Sequence, residues 1–240
     1  MAAPKVIYMK LQHHLLLLLP LMYYGNLFAQ NNATVIVKAG HTIKESMPTT
    51  DLYEYPQFAY GTVNYRDGNI SRGSMNYNRF LDELQFITLK GDTLSLTNEK
   101  NIRFINIGED TFFYDQGYIK LVNSTANMKL GIKQMLRIID KQKMGAYGMV
   151  SSTTAIDSYY SFNDGIQVYN LTVMQDLVLA KEVQYYIGDN YNHFVVANKK
   201  NVMQLFPRQH RAILSYLKEN TVVFNNKEDL DKLVQFLAQL

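Results

Sequence analysis

Three histidines lie beyond residue 30, His41, His193 and His210, and none belongs to a metal-ligand pattern such as H-E-x-x-H. Surface or capping positions account for them. Ser151, Ser152, Thr153 and Thr154 form a run of hydroxyls, but a serine becomes a nucleophile only when a base is brought to it, and there is no G-x-S-x-G elbow. Phosphate and dinucleotide loops of the types G-x-x-x-x-G-K-[ST] and G-x-G-x-x-G are also missing, and Gly145 and Gly148 form only G-x-x-G. Adjacent acids occur at Asp82-Glu83, Glu109-Asp110 and Glu228-Asp229. Sugar hydrolysis needs two carboxylates facing each other roughly 5 to 10 Å apart, whereas sequence neighbours diverge, so turns and helix starts explain all three pairs. No catalytic residue, metal site or cofactor follows from these patterns.

Tyrosine is the residue type that stands out. Fifteen of the 18 tyrosines lie beyond residue 30, and the chain has no tryptophan. A tyrosine buries its ring while its hydroxyl finds water or a partner, so it suits binding surfaces as well as sheet faces. Asn76-Tyr77-Asn78 is the most distinctive tripeptide, and with Tyr159 and Tyr160 it supplies the candidate binding residues.

The elements that must position these residues are mainly strands. Short apolar and aromatic runs at 57–65, 74–78, 83–90, 93–97, 102–107, 111–114 and 118–123 are separated by Asp67-Gly68, Gly91-Asp92, Gly108-Glu109-Asp110 and Asp115-Gln116-Gly117. These are hairpin turns, in which glycine supplies positive φ, and the succession predicts an antiparallel β-meander, either a curled sheet or a partly open barrel. A strand is expected at 127–134, with 135–143 readable as strand or helix because Ile132, Met135, Leu136 and Ile139 also fit a helix face. Residues 145–165 read as a long loop, and strands resume at 166–173, 177–187, 193–197 and 202–206. Lys199-Lys200 then forms a solvated hairpin tip. Residues 31–56 read as a mostly extended lead-in in which 34–37 form a short strand.

The last segment predicts a two-helix hairpin over 207–240. Pro207 suits the first helical position, Asn220 the exit, and Asn225 or Asn226 the cap of a second helix with Leu230, Leu233, Val234 and Leu237 on one face. Neither helix can bury its stripe alone, so the pair is expected to dock on the β domain of residues 31–206.

Residues 1–30 carry Lys5 and Lys10, the apolar run from Leu15 to Leu19, and no acid, the pattern of a cleavable secretory signal. Pro20 and Gly25 interrupt its apolar core, which is short for a bilayer of about 30 Å. Its removal leaves 22 of the 24 basic residues against 21 acids, a near-neutral balance that gives no reason to expect nucleic acid as a partner. The chain has no cysteine, which excludes disulfides, thiolate metal sites and a thiol-linked lipid anchor. A soluble protein of the periplasm or the cell exterior is expected.

Several blocks resemble a group of signal-peptide-bearing exported proteins of Bacteroidota to which no activity is assigned. They are Phe28-Ala29-Gln30, Gly73-Ser74-Met75-Asn76-Tyr77-Asn78, Lys90-Gly91-Asp92-Thr93-Leu94, Met144-Gly145-Ala146-Tyr147-Gly148, and the ending from Lys199 through Leu205-Phe206-Pro207 to Asp229-Leu230. The resemblance implies an address in the cell envelope and no mechanism. The sequence thus favours a non-enzymatic module that binds a protein or glycan. A hydrolase assembled around 145–165 is the alternative, and a small outer-membrane barrel, whose strands need about 9 to 11 residues, is the second.

Overall fold

Residues that accept positive φ punctuate the strands where the turns are expected. Gly68 and Gly91 have φ of 89° and 90°, and Gln116 and Gly117 have 55° and 115°. In the computed structural model, which describes residues 34–144, 150–152 and 172–240, these turns link strands of one antiparallel sheet. The strands are β1 (Thr34–Val37), β2 (Ala59–Tyr65), β3 (Ile70–Asn78), β4 (Glu83–Ile87), β5 (Thr93–Ser95), β6 (Ile102–Ile107), β7 (Asp110–Tyr114), β8 (Tyr118–Ser124), β9 (Met128–Met144), β10 (Val150–Ser152), β11 (Asp176–Asp189) and β12 (Phe194–Val196). The spatial order is β1-β11-β9-β8-β7-β6-β2-β3-β4-β5, with β10 added to β9 and β12 to β11. Two meanders, β2 to β5 and β6 to β9, therefore meet where β2 pairs with β6.

Among the described residues the sheet is not closed and ends in two edge strands, β1 and β5. It nevertheless curls until β9 returns to the end of β3, where the Leu136 amide donates to the Arg79 carbonyl at 3.0 Å. Val63, Met75, Leu84, Ile105 and Phe112 fill the concave side.

The ambiguity at 135–143 resolves as strand, because β9 continues for 17 residues against β11. The register shifts where Asp140 pairs with Val178 and Ile138 with Leu179, which leaves Ile139 as the extra residue of a bulge. The helical spacing has another source: Met135 and Leu136 are adjacent and both buried, so the strand is covered on both faces there and its apolar residues do not alternate.

Three expectations need correction. The lead-in is not mostly extended: after β1 it forms two helical turns, α1 (Ile43–Ser46) and α2 (Thr49–Leu52), whose Ile43 and Leu52 pack with Leu136, Leu177 and Leu179 over one end of the curl. Second, 202–206 is not a strand. Residues 202–205 lie in the helix α3 (Lys199–Leu205), which Phe206 ends and Asn198 starts, its side-chain oxygen accepting the Asn201 amide at 2.8 Å. Lys199 and Lys200 are its first turn and not a hairpin tip, and Val202 is buried among the other helices. Third, part of the expected loop at 145–165 is strand, because β10 pairs with residues 142–144 of β9. The rest of that loop and residues 166–171 lie outside the described residues, while residues 172–173 are not strand.

The terminal helices α4 (His210–Glu219) and α5 (Lys227–Leu237) occur as expected, with Pro207 opening a 3₁₀ turn before α4 and Asn226 capping α5. Leu230, Leu233, Val234 and Leu237 bury against Met128, Leu130 and Ile187 of the sheet. Leu233→Ala is expected to lower unfolding free energy by about 2–5 kcal/mol, read from the urea midpoint at unchanged slope. A loss below about 1 kcal/mol would show that the helix does not depend on this contact. Among the described residues no helix is long and apolar enough to cross a membrane.

Candidate functional site

At its last three residues β3 is bordered by β4 on one side and by the lead-in on the other. Tyr53 forms a bridge with Asn78, and the Glu54 amide donates to the Tyr77 carbonyl at 3.0 Å. Asn76 completes this contact with its side chain. Its Oδ1 accepts the Tyr55 amide at 3.1 Å and its Nδ2 donates to the Tyr55 carbonyl at 2.8 Å. Asn78 Oδ1 accepts the amides of Phe80 and Leu81, both at 3.0 Å, and so holds the turn into β4. Both asparagines are fully buried. Their polarity is used to satisfy backbone groups inside the protein, not presented to a partner.

Tyr77 points into the curl, its ring 6.0 Å from Phe112 and 6.4 Å from Tyr118. Its hydroxyl donates to Asp82 Oδ1 at 2.7 Å, and the other carboxylate oxygen pairs with Lys133 Nζ at 2.8 Å. Burial and then the Asp82 charge push the Tyr77 phenol well above its ordinary range. Lys133 is 4% exposed. Gly117 lies over this pair: a Cβ there would overlap Lys133 Nζ and come within 2.6 Å of Asp82 Oδ2.

Because Asn76 fixes the lead-in, Glu54 enters the concave side. Its carboxylate accepts Arg79 Nη2 at 2.8 Å and Lys120 Nζ at 2.5 Å, and Lys120 is also 3.6 Å from Asp110. Asp110 in turn accepts the Tyr55 hydroxyl at 2.6 Å. Burial works to raise the Glu54 pKa, but the Lys120 and Arg79 contacts outweigh it and hold the carboxyl below its ordinary value. A recess of about 10 Å³ opens between this ion cluster and the side chains of Tyr77, Phe112, Tyr118 and Gln134.

The adjacent acids do separate work. Asp82 serves Lys133, Glu83 accepts the Ser95 hydroxyl at 2.5 Å, Asp110 serves Tyr55, and Asp229 accepts the Val223 amide at 3.0 Å. His193 Nδ1 lies 3.3 Å from Asp115, which also accepts the Phe194 amide at 2.6 Å. That pair ties the β7–β8 turn to β12 on a half-exposed surface. His41 and His210 are exposed. Among the described residues no group of three His, Cys, Asp or Glu side chains is placed to hold a metal ion. Tyr159 and Tyr160 lie outside the described residues.

No protein-family model matches this chain, and no curated protein and no solved structure shows significant similarity to it.

The outer surface offers one further feature. Among the described residues strand β5 has no neighbour on its outer side, and at the tip of its hairpin Leu89 is wholly exposed, with Ile87 and Leu94 at 39% and 50%. The tip is braced: Thr88 Oγ1 accepts the amides of Lys90 and Asp92 at 3.3 and 3.1 Å. Below it, the Gln85 amide donates to Ser95 Oγ at 3.4 Å, while Gln85 Oε1 accepts the Tyr53 hydroxyl at 2.9 Å. The edge strand is thus fastened through β4 to the lead-in. Sequence patterning locates this hairpin without showing that it is an edge, and it gives no signal at all for Glu54, Arg79 or Lys120.

Proposed function

We propose that this chain is an exported, non-enzymatic binding protein that takes an extended protein segment against the β5 edge. The observation that carries this reading is an unpaired edge strand whose hairpin displays three exposed aliphatic side chains. An open edge offers unsatisfied amides and carbonyls to another strand; β5 spans only Thr93–Ser95, so its ladder is short and the exposed Ile87, Leu89 and Leu94 supply most of the contact. Strand addition supplies affinity through the backbone and selectivity through alternate side chains, here Leu94 and its neighbours. The leader-like residues 1–30 and the resemblance to exported proteins of Bacteroidota support the envelope address. A protein segment fits the edge better than a glycan does, because a glycan has no backbone ladder to offer.

A photo-crosslinker placed at Leu94 tests the proposal, with one at Tyr60 on β2 as the control. The expected result is a discrete adduct from position 94 alone, reduced about tenfold or more in Leu89→Asp by the cost of desolvating the new charge. Equal labelling from both positions, or an adduct unaffected by Leu89→Asp, would remove the edge as the binding surface. N-terminal sequencing of the protein from its source should begin near residue 30, and a retained Met1 would overturn export.

A further inference from the structure

Glu83 opens β4 and is 7% exposed. Its Oε2 accepts the Ser95 hydroxyl at 2.5 Å, Ser95 Oγ accepts the Gln85 amide at 3.4 Å, and Gln85 Oε1 accepts the Tyr53 hydroxyl at 2.9 Å. Asn78 stands opposite Glu83 on β3. These partners are all neutral, and the charges that face the carboxylate are both negative, Glu99 from the turn after β5 and Asp82 from the turn before β4. Glu54 has Arg79 and Lys120 beside it. Among the described residues Glu83 has no cation.

A carboxylate taken out of water without a cation is relieved by taking up a proton or by letting water in. Burial raises the Glu83 pKa above the ordinary 4.5, the Ser95 and Gln85 hydrogen bonds offset part of the rise, and Glu99 and Asp82 add to it. The route for water is β5, which supplies Ser95 and is held to β4 by three residue pairs, so lifting this edge is a low-cost local opening. The closed edge favours the neutral carboxyl. The stabilisation from protonation is therefore complete below 4.5 and is lost as pH rises through the raised value.

We propose that Glu83 is a pH-sensitive latch that regulates the β5 edge: ionised, it loosens β5 from β4, and protonated, it holds β5 in place as a template for an incoming strand. This regulatory role rests on β5 being the binding surface. Protonation keeps the contact to Ser95, since a carboxyl and a hydroxyl each donate and accept. A template already ordered costs less to bind, so the edge takes its partner more tightly in mild acid.

Glu83→Gln holds the side chain neutral at every pH and so separates the latch from other titrating groups. In the wild type, protection of the Leu96 amide, which donates to the Leu84 carbonyl at 2.8 Å, should rise about threefold or more from about pH 7.5 to about pH 5, after correction for intrinsic exchange. In Glu83→Gln it should be high and flat across that range. Titration of the wild-type Glu83 carboxyl by NMR should give a midpoint above 4.5. A midpoint at or below that value, or the same rise in both proteins, would overturn the latch. The crosslink from position 94 should strengthen over the same range in the wild type alone, and an adduct of equal yield at both ends would overturn the regulation. If exchange and titration behave as expected and position 94 gives no adduct at any pH, the binding surface is what fails, and its regulation with it.

Discussion

Asp82→Ala is expected to lower unfolding free energy by about 3–5 kcal/mol, the usual consequence of stranding a buried charge. Asp82 itself is one-third exposed; the loss arises at Lys133, which is 4% exposed and has the Asp82 carboxylate at 2.8 Å. Gly117 packs directly over the ammonium, and its missing Cβ leaves room for the pair. The Tyr186 ring, 6.0 Å away, is too weak a partner to replace a carboxylate. Tyr77 would lose its acceptor in the same substitution. Adding Lys133→Met to Asp82→Ala should recover most of the loss, since an apolar side chain of similar volume needs no partner. Urea unfolding of the two single variants and the double variant checks this. If Asp82→Ala alone stays within about 1 kcal/mol of wild type, Lys133 is better solvated than the structure shows.

Asn76→Ala should cost about 3 kcal/mol and release the lead-in. It leaves the amide and carbonyl of Tyr55 without the partners now at 3.1 and 2.8 Å, in a place where Asn76 is fully buried, and each unmet group costs about 1–3 kcal/mol. Once Tyr55 is free, Glu54 no longer has a fixed position between Arg79 and Lys120. Hydrogen exchange should therefore show the Tyr55 amide losing protection while the β9–β11 ladder, 14 residue pairs long, keeps its own. Unchanged protection at Tyr55 would show that the Tyr53–Asn78 bridge and the Glu54 amide hold the lead-in without Asn76. Because the asparagines are internal, a folded Asn76 variant should also retain the crosslink from position 94.

Asn76-Tyr77-Asn78 shows how far sequence reasoning reaches. As a string it looks like a recognition motif, being polar, aromatic and unusual within a strand. In the fold it is a fastening: β2 stops pairing at Met75, which leaves one edge of the last three residues of β3 in need of partners, and a passing segment without regular strand geometry is met by side-chain amides. The asparagines occupy a gap in the ladder, and no local pattern announces such a gap. The 202–206 run failed for the opposite reason. Its five residues alternate poorly in either period, and Asn198, four residues upstream, decided the outcome by capping a helix.

What the sequence determined by itself is what neighbouring residues settle among themselves. Turns at Asp67-Gly68 and Gly91-Asp92, strands such as Ile102–Ile107, and the Pro207 and Asn226 helix starts depend on backbone φ, alternation and capping within a few residues. The tertiary structure alone decided what depends on distant partners. Glu54 meets Lys120 across 66 positions and Lys133 meets Asp82 across 51. The free edge at β5 and the return of β9 to Arg79 follow from strand order and curl. These are products of which strand pairs with which, and the burial that selects one pairing is a property of the whole sheet, to which any single segment contributes only a face.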